Sequence, residues 1–158
     1  MKKILFIAAA LLIATTSLLA GPTEKLINVF NSTFPQAQNI KWHEDENGYL
    51  VSFTQSGKYA KATYDRNGQF LSALKYYREN DLPVNILLAV RKKYVSETIE
   101  SVTELTTAEG VSWFINLSDE KKWSVVKASG DGAIALQYSY KKQVSPPSQG
   151  HAHPGHEH

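Results

Sequence analysis

The chain of 158 residues has no cysteine. No disulfide can tie the fold together, no thiolate can serve as a nucleophile, and no lipid can be attached through a cysteine behind a leader. A long apolar run is also missing. The longest uninterrupted one, Ile4 to Ala14, is well short of the about 20 residues needed to cross a bilayer. There is no glycine-rich phosphate loop and no helical HExxH pair. Before the last eight residues the only histidine is His43. A Ser-His-acid arrangement would rest on it alone, and it stands beside Glu44-Asp45-Glu46 at what reads as a solvated strand end. The sequence therefore predicts no catalytic residues, no required cofactor and no enzyme.

Surplus charge is lacking as well. The chain carries 17 basic and 15 acidic residues, and Lys2 and Lys3 belong to its opening segment, which leaves 15 against 15. Nucleic-acid binding normally shows as a basic patch or stripe, so this neutrality argues against such a partner. The opening segment itself, MKKILFIAAALLIATTSLLAGP, has a positive start, an apolar middle and a small residue at the break. That pattern predicts a signal peptide over residues 1–20, cleaved after Ala20, and hence a periplasmic or secreted protein with no stable membrane insertion afterwards.

What is present is a repeat. Leu26, Ile27, Phe30 and Phe34 fall on one face of a 3.6-residue period, and adding 60 to each number gives Ile86, Leu87, Val90 and Tyr94. The first helix is bounded by Pro22 and Pro35; the second is expected to start at Asp81-Leu82-Pro83, with Asp81 as a cap-like acid. Four strands follow each helix. Ile40 and Trp42, then Tyr49, Val51 and Phe53, flank Asn47-Gly48, a hairpin signal in which both residues tolerate positive φ. Val102, then Val111, Trp113 and Ile115, flank Glu109-Gly110 at an offset of 62. Third strands, Tyr59 to Tyr64 and Trp123 to Ala128, lead into YDRNGQF and ASGDGAI, two copies of one bend at an offset of 64. Fourth strands are Phe70 to Tyr77 and Ile134 to Tyr140; in the last, Ile134, Leu136, Tyr138 and Tyr140 alternate with Ala135, Gln137 and Ser139.

The expected fold is thus α+β. A helix plus four antiparallel strands occurs twice, over residues 22–80 and 81–141, within a domain of residues 21–144. A unit of about 60 residues buries too little surface to be stable alone. Joining the two sheets, with both helices on one face, leaves the other face open, as antiparallel sheets permit.

FNSTFPQAQNIKWHEDENGYLVSF, ATYDRNGQFL and DLPVNILLAV make residues 23–141 resemble the bacterial PepSY-like proteins of beta-lactamase-inhibitor-like (BLIP-like) fold, small exported proteins best represented among Bacteroidetes. The shared marks are Phe34-Pro35, Trp42, the Gly48-Tyr49 strand start, the Asp65 to Gly68 turn and Leu82-Pro83. The second unit departs from them, with Val95 in place of Pro35 and Glu104 in place of Trp42. The resemblance implies a periplasmic binding or inhibitory module and does not specify its partner.

Two stretches carry candidate sites. If Tyr49, Val51 and Phe53 face the helices, strand alternation puts Leu50 on the open face. Ala60 and Ala62, repeated as Ser124 and Val126, suit close helix packing, which sends Tyr59 and Trp123 to the open face with Leu50 and Phe114. Tyrosine and tryptophan bury much area for little lost rotamer freedom, so these four residues form the candidate docking surface for a protein or peptide. The second stretch is the tail, residues 145–158, where Ser145-Pro146-Pro147-Ser148 reads as a disordered spacer before His151, His153, His156 and His158. Imidazoles at that density can chelate zinc, nickel or copper, which makes a metal carrier or buffer the alternative function.

Overall fold

The computed structural model describes residues 21–143, so the leader (1–20), residue 144 and the tail, including His151, His153, His156 and His158, lie outside the described residues. Helix α1 (Glu24–Thr33) is followed by strands β1 (Gln38–Asp45), β2 (Gly48–Gln55), β3 (Lys58–Asp65) and β4 (Phe70–Tyr77). A 3-10 turn (Glu79–Asp81) leads to α2 (Val84–Lys93), β5 (Thr98–Thr107), β6 (Gly110–Ser118), β7 (Lys122–Ser129) and β8 (Ile134–Lys141). All eight strands form one antiparallel sheet in chain order, β1 to β8. The α+β architecture is the one the sequence predicts: a helix and four strands, twice, in one joined sheet.

Each helix is where its apolar period places it. In α1 the Thr23 hydroxyl accepts the Leu26 N–H at 3.3 Å, satisfying one of the donors a helix start leaves unpaired. Phe34 closes the other end, its N–H bonded to the Phe30 carbonyl, and Pro35 cannot continue the helix. Leu26 and Phe30 are buried against Val51, Phe53, Ala60, Ala62, Tyr64 and Ala73, whereas Ile27 stays at the margin, partly exposed. Ile86 and Val90 are buried against Val102, Ile115, Leu117, Val126 and Ala128. Both helices thus cover one face. Cross-strand partners share a face, and the seam pair Tyr77–Val102 carries the helix side of the first unit into that of the second.

Asp81 does not cap α2. Leu82, which is buried, and Pro83, whose ring fixes φ at −52°, stand between it and the first helical residue, Val84. A capping carboxylate must sit directly before the first turn. Asp81 instead accepts the Arg78 N–H at 3.3 Å and pairs with Lys58 Nζ at 3.0 Å, which lowers its pKa.

The Asn47-Gly48 hairpin also differs from expectation. Only Gly48 has positive φ (146°), and the turn is closed by the Asp45 carboxylate, which accepts the N–H groups of Asn47 and Gly48 at 2.7 and 3.2 Å.

The doubled bend has one backbone and two fastenings. Asp65 N–H bonds to the Gln69 carbonyl and Gly68 N–H to the Asp65 carbonyl; 64 residues on, Ser129 and Gly132 make the same pair of bonds to Ala133 and Ser129. Gly68 and Gly132 hold φ at 79° and 87°, which a side chain rarely adopts. In the first bend the Asp65 carboxylate ties the loop through Asn67 and Gln69; in the second Asp131 does so, bonded by the Ser129 hydroxyl and the Ala133 N–H. The bend is a seat for the helix start. Leu26 rests 3.7 Å from where a Gly68 Cβ would stand, and Asn85 Nδ2 donates to the Gly130 carbonyl at 3.0 Å.

Candidate interaction face

Burial and register together assign the faces. Val51, Ala60, Ala62, Trp113, Ile115, Ser124 and Val126 are buried on the helix side, so their strand neighbours point the other way. Leu50 is paired with His43 and Thr63, and Phe114 with Thr103 and Lys127, all on the open face. Tyr59 and Trp123 lie on the same face, 48% and 44% exposed, while Leu50 and Phe114 are partly covered.

These four residues share a side without forming one contiguous patch. Tyr59 and Phe114 stand in one cross-strand row through Tyr76 and Thr103. Leu50 is four residues along its strand from that row in one direction, and Trp123 pairs with Ser118, four residues from Phe114 in the other.

The fourth strands supply the rest of the surface. Tyr76 and Tyr59 stand one step beyond the Ala60–Lys75 pair that ends the β3–β4 ladder, and their two rings stack at 5.7 Å. On β8 the even alternation expected from the sequence fails. Leu136 pairs with Val126 on the helix side, yet Tyr138 pairs with Val125 and Tyr140 with Trp123, both on the open face. A bulge at Gln137 inserts one residue into the ladder and turns the end of the strand over. Tyr138 and Tyr140, 56% and 58% exposed, stack at 6.4 Å beside Trp123.

The bulge completes a symmetry. Tyr59–Tyr76 in the first unit recurs, 64 residues on, as Trp123–Tyr140 in the second: the same strands and the same open face. Sequence reasoning found Tyr59 and Trp123 but missed Tyr76, Tyr138 and Tyr140. The shared offset of 64 was the available signal for Tyr76 and Tyr140.

Lysine ammonium groups lie over all three predicted rings: Lys61 over Tyr59 at 5.9 Å, Lys127 over Phe114 at 5.8 Å and Lys142 over Trp123 at 4.4 Å. Each contact orients a ring and covers part of it while the charge stays in water.

Little elsewhere resembles reactive chemistry. A hollow of about 510 Å³ where the units meet is lined by Tyr77, Arg78, Glu79, Asn80, Glu100 and Ser101, with Ile99. It contains no histidine, and His43 lies exposed on the open side of β1. Beside the junction the Tyr77 hydroxyl donates to Glu104 Oε2 at 2.7 Å; burial, and then this bond, push the phenol pKa well up. Such a group is held neutral and is not poised to react. Among the described residues no group of three or more metal-ligating side chains is assembled, and no helix is long and apolar enough to cross a membrane.

The chain matches no protein-family model and no curated protein. Solved structures do match. A BLIP-like protein from Bacteroides fragilis superposes with a TM-score of 0.64 at 18% identity, covering 80% of this chain and 91% of its own. A DUF2874 family protein from Bacteroides ovatus gives 0.61 at 16% identity, over 76% and 87%. A Bacteroides eggerthii protein with a provisional periplasmic description gives 0.59 at 12%, over 75% and 88%. With the joined eight-stranded sheet and both helices on one side of it, the chain has the fold of these BLIP-like and DUF2874 proteins of Bacteroides.

Proposed function

We propose that the protein is a non-catalytic binding or inhibitory module, exported to the periplasm, that docks a partner protein or peptide on the open face of its sheet. The observation carrying this reading is the repeated aromatic pair, Tyr59–Tyr76 and Trp123–Tyr140, held in solvent by both units. A folding requirement alone gives no reason to expose large rings twice at the same register. Rings of this size desolvate well and recur as interface anchors. Leu50 and Phe114 flank them as partly covered contact area.

The test is capture of a partner from native periplasm by immobilised mature protein. Changing Tyr59→Ser together with Trp123→Ser should abolish capture. Stability should stay within the about ±0.5 kcal/mol typical of surface changes, read as a nearly unchanged melting temperature. Unfolding of the double variant would return these rings to a structural role.

The tail supports a second reading, because HAHPGHEH places four imidazoles in eight residues. In that reading the domain carries a zinc, nickel or copper buffer. Deleting residues 145–158 separates the two: docking survives the truncation, and metal carriage does not. Calorimetry of the full mature chain should show saturable binding that weakens as the imidazoles protonate near about pH 6.5.

A further inference from the structure

Although the mature chain is formally neutral, its mid-strand carboxylates keep off the open face, while lysines stand on both faces, Lys58, Lys75, Lys122 and Lys141 on the helix side. The charged strand residues pointing to the open side are Lys41, Lys61 and Lys127, with His43 beside them. Two aspartates share that parity, Asp45 and Asp65, but both end their strands and fold back onto turn N–H groups. Two glutamates lie at the rim of this side: Glu100, displaced by the bulge in β5, where the Ser118 hydroxyl donates to it at 2.6 Å, and Glu109 in the β5–β6 turn, held by the Thr107 hydroxyl. The remaining strand acids, Glu44 and Glu104, pair with helix-side residues Tyr49 and Trp113. The open face is therefore aromatic and cationic across its middle, and Lys142 beyond β8 adds a further cation over Trp123.

We propose that the occupant of the open face is a carboxylate-rich protein segment, one presenting Asp or Glu side chains between apolar or aromatic ones. This deepens the docking reading above and rests on it. Complementary charge selects partners and speeds encounter, and like charge across an interface is costly, so a surface with three strand lysines rejects basic segments. Lys61 and Lys127 already lie beside the rings of Tyr59 and Phe114. A carboxylate arriving there meets an ammonium at the rim of a flat apolar surface, which is where an alternating acidic and aromatic peptide would place it. A nucleic acid fits less well: the rings lie in two separated groups, without a basic groove that follows a phosphate backbone.

The mature protein can be titrated with labelled twelve-residue peptides of alternating Glu and Tyr, Gln and Tyr, or Lys and Tyr, and with a thymidine oligomer, while backbone amide shifts are followed. The Glu-Tyr peptide should bind about 10-fold or more tighter than the Gln-Tyr peptide, with the gap closing as salt is raised. Its shifts should centre on Lys61, Phe114 and Lys127. The triple variant Lys41→Glu, Lys61→Glu, Lys127→Glu should lose Glu-Tyr binding and gain Lys-Tyr binding, an exchange that a misfolded protein could not show. Equal binding of the Gln-Tyr peptide on this face would overturn the acidic partner and leave the docking face standing. Thymidine binding as tight as that of the Glu-Tyr peptide would overturn it in favour of a general polyanion surface. Shifts away from the open face with every peptide would overturn both readings together.

Discussion

Under α1 the space between helix and sheet is filled by rings. Phe30 meets Phe34, Trp42 and Phe53 at centroid distances of 5.4, 5.4 and 5.0 Å, and Tyr64 meets Phe70 at 5.8 Å. Under α2 the same space holds Leu82, Ile86, Val90, Ile99, Val102, Ile115, Leu117 and Val126, with Trp113 as the one buried ring. Phe30 and Val90 are equivalent in the repeat, as are Tyr64 and Ala128. The two cores show that this architecture demands filled volume on one face and is indifferent to which apolar shapes fill it. Even the apparent loss of Trp42 in the second unit is a relocation. Trp42 pairs with Val51, and at the equivalent place Glu104 pairs with Trp113, so the large ring has moved across the ladder. The exchanged carboxylate is held by the Tyr77 hydroxyl.

The comparison is broken most severely at its ring-filled end. Phe30→Ala should cost about 3–5 kcal/mol, because it empties a site closed by three other rings. Val90→Ala, which removes two methyl groups, should cost about 1–2.5 kcal/mol. Thermal or urea unfolding of both variants checks the order, and a reversed order would mean that the aliphatic core carries the stability.

Next come the equivalent glycines Gly48 and Gly110, which both open second strands at positive φ. A Cβ at Gly48 would collide with the Tyr64 carbonyl and the Asp65 backbone, whereas one at Gly110 meets nothing within 4 Å. Gly110→Ala should therefore show backbone strain alone, about 1–3 kcal/mol. Gly48→Ala should cost about 1–3 kcal/mol beyond that, from overpacking against backbone that cannot yield. Equal losses in the two variants would show that the contact relaxes.

A smaller difference appears only in alkali. Burial raises the Tyr64 pKa to about 12 from 10.0, and its hydroxyl has no hydrogen-bond partner; the second unit has Ala128 in that place. In the unfolded chain the phenol ionises from about pH 10, so between the two values the folded state binds more protons. The contribution is complete below pH 10 and is lost as pH rises towards 12. Tyr64→Phe should leave stability at neutral pH unchanged or slightly higher, since it deletes an unsatisfied buried group. It should also flatten the fall in melting temperature above pH 10, with the raised Tyr77 and Tyr94 phenols contributing to what remains.

The helices, the eight strands and the helix-facing side were legible in the sequence because each rests on a local period. Leu26 to Phe30 and Ile86 to Val90 repeat at helical spacing, and Val51 to Phe53 alternates. What escaped depends on register. A bulge leaves the order of residue types unchanged, so nothing in Ile134 to Tyr140 announces that Gln137 turns Tyr138 and Tyr140 over. The absence of carboxylates from the middle of the open face was hidden for the same reason, since it emerges only when eight strands are aligned. Asp81 failed differently: the acid-then-proline pattern was real, but its carboxylate went to Lys58 and the Arg78 N–H, 23 and three residues away in the chain.

The strand order has a kinetic meaning. Because the sheet follows chain order, six of its seven ladders join strands separated by short turns, and such pairings close quickly. The exception is the ladder between β4 and β5, whose strands are separated by the 3-10 turn and all of α2. Loop-closure entropy thus opposes one step more than any other: the zipping of Ser72–Tyr77 against Val102–Thr107. Each half can condense on its own helix first. The open face acquires its full width, with the Tyr59–Tyr76 and Trp123–Tyr140 pairs on a single surface, only when that last ladder forms.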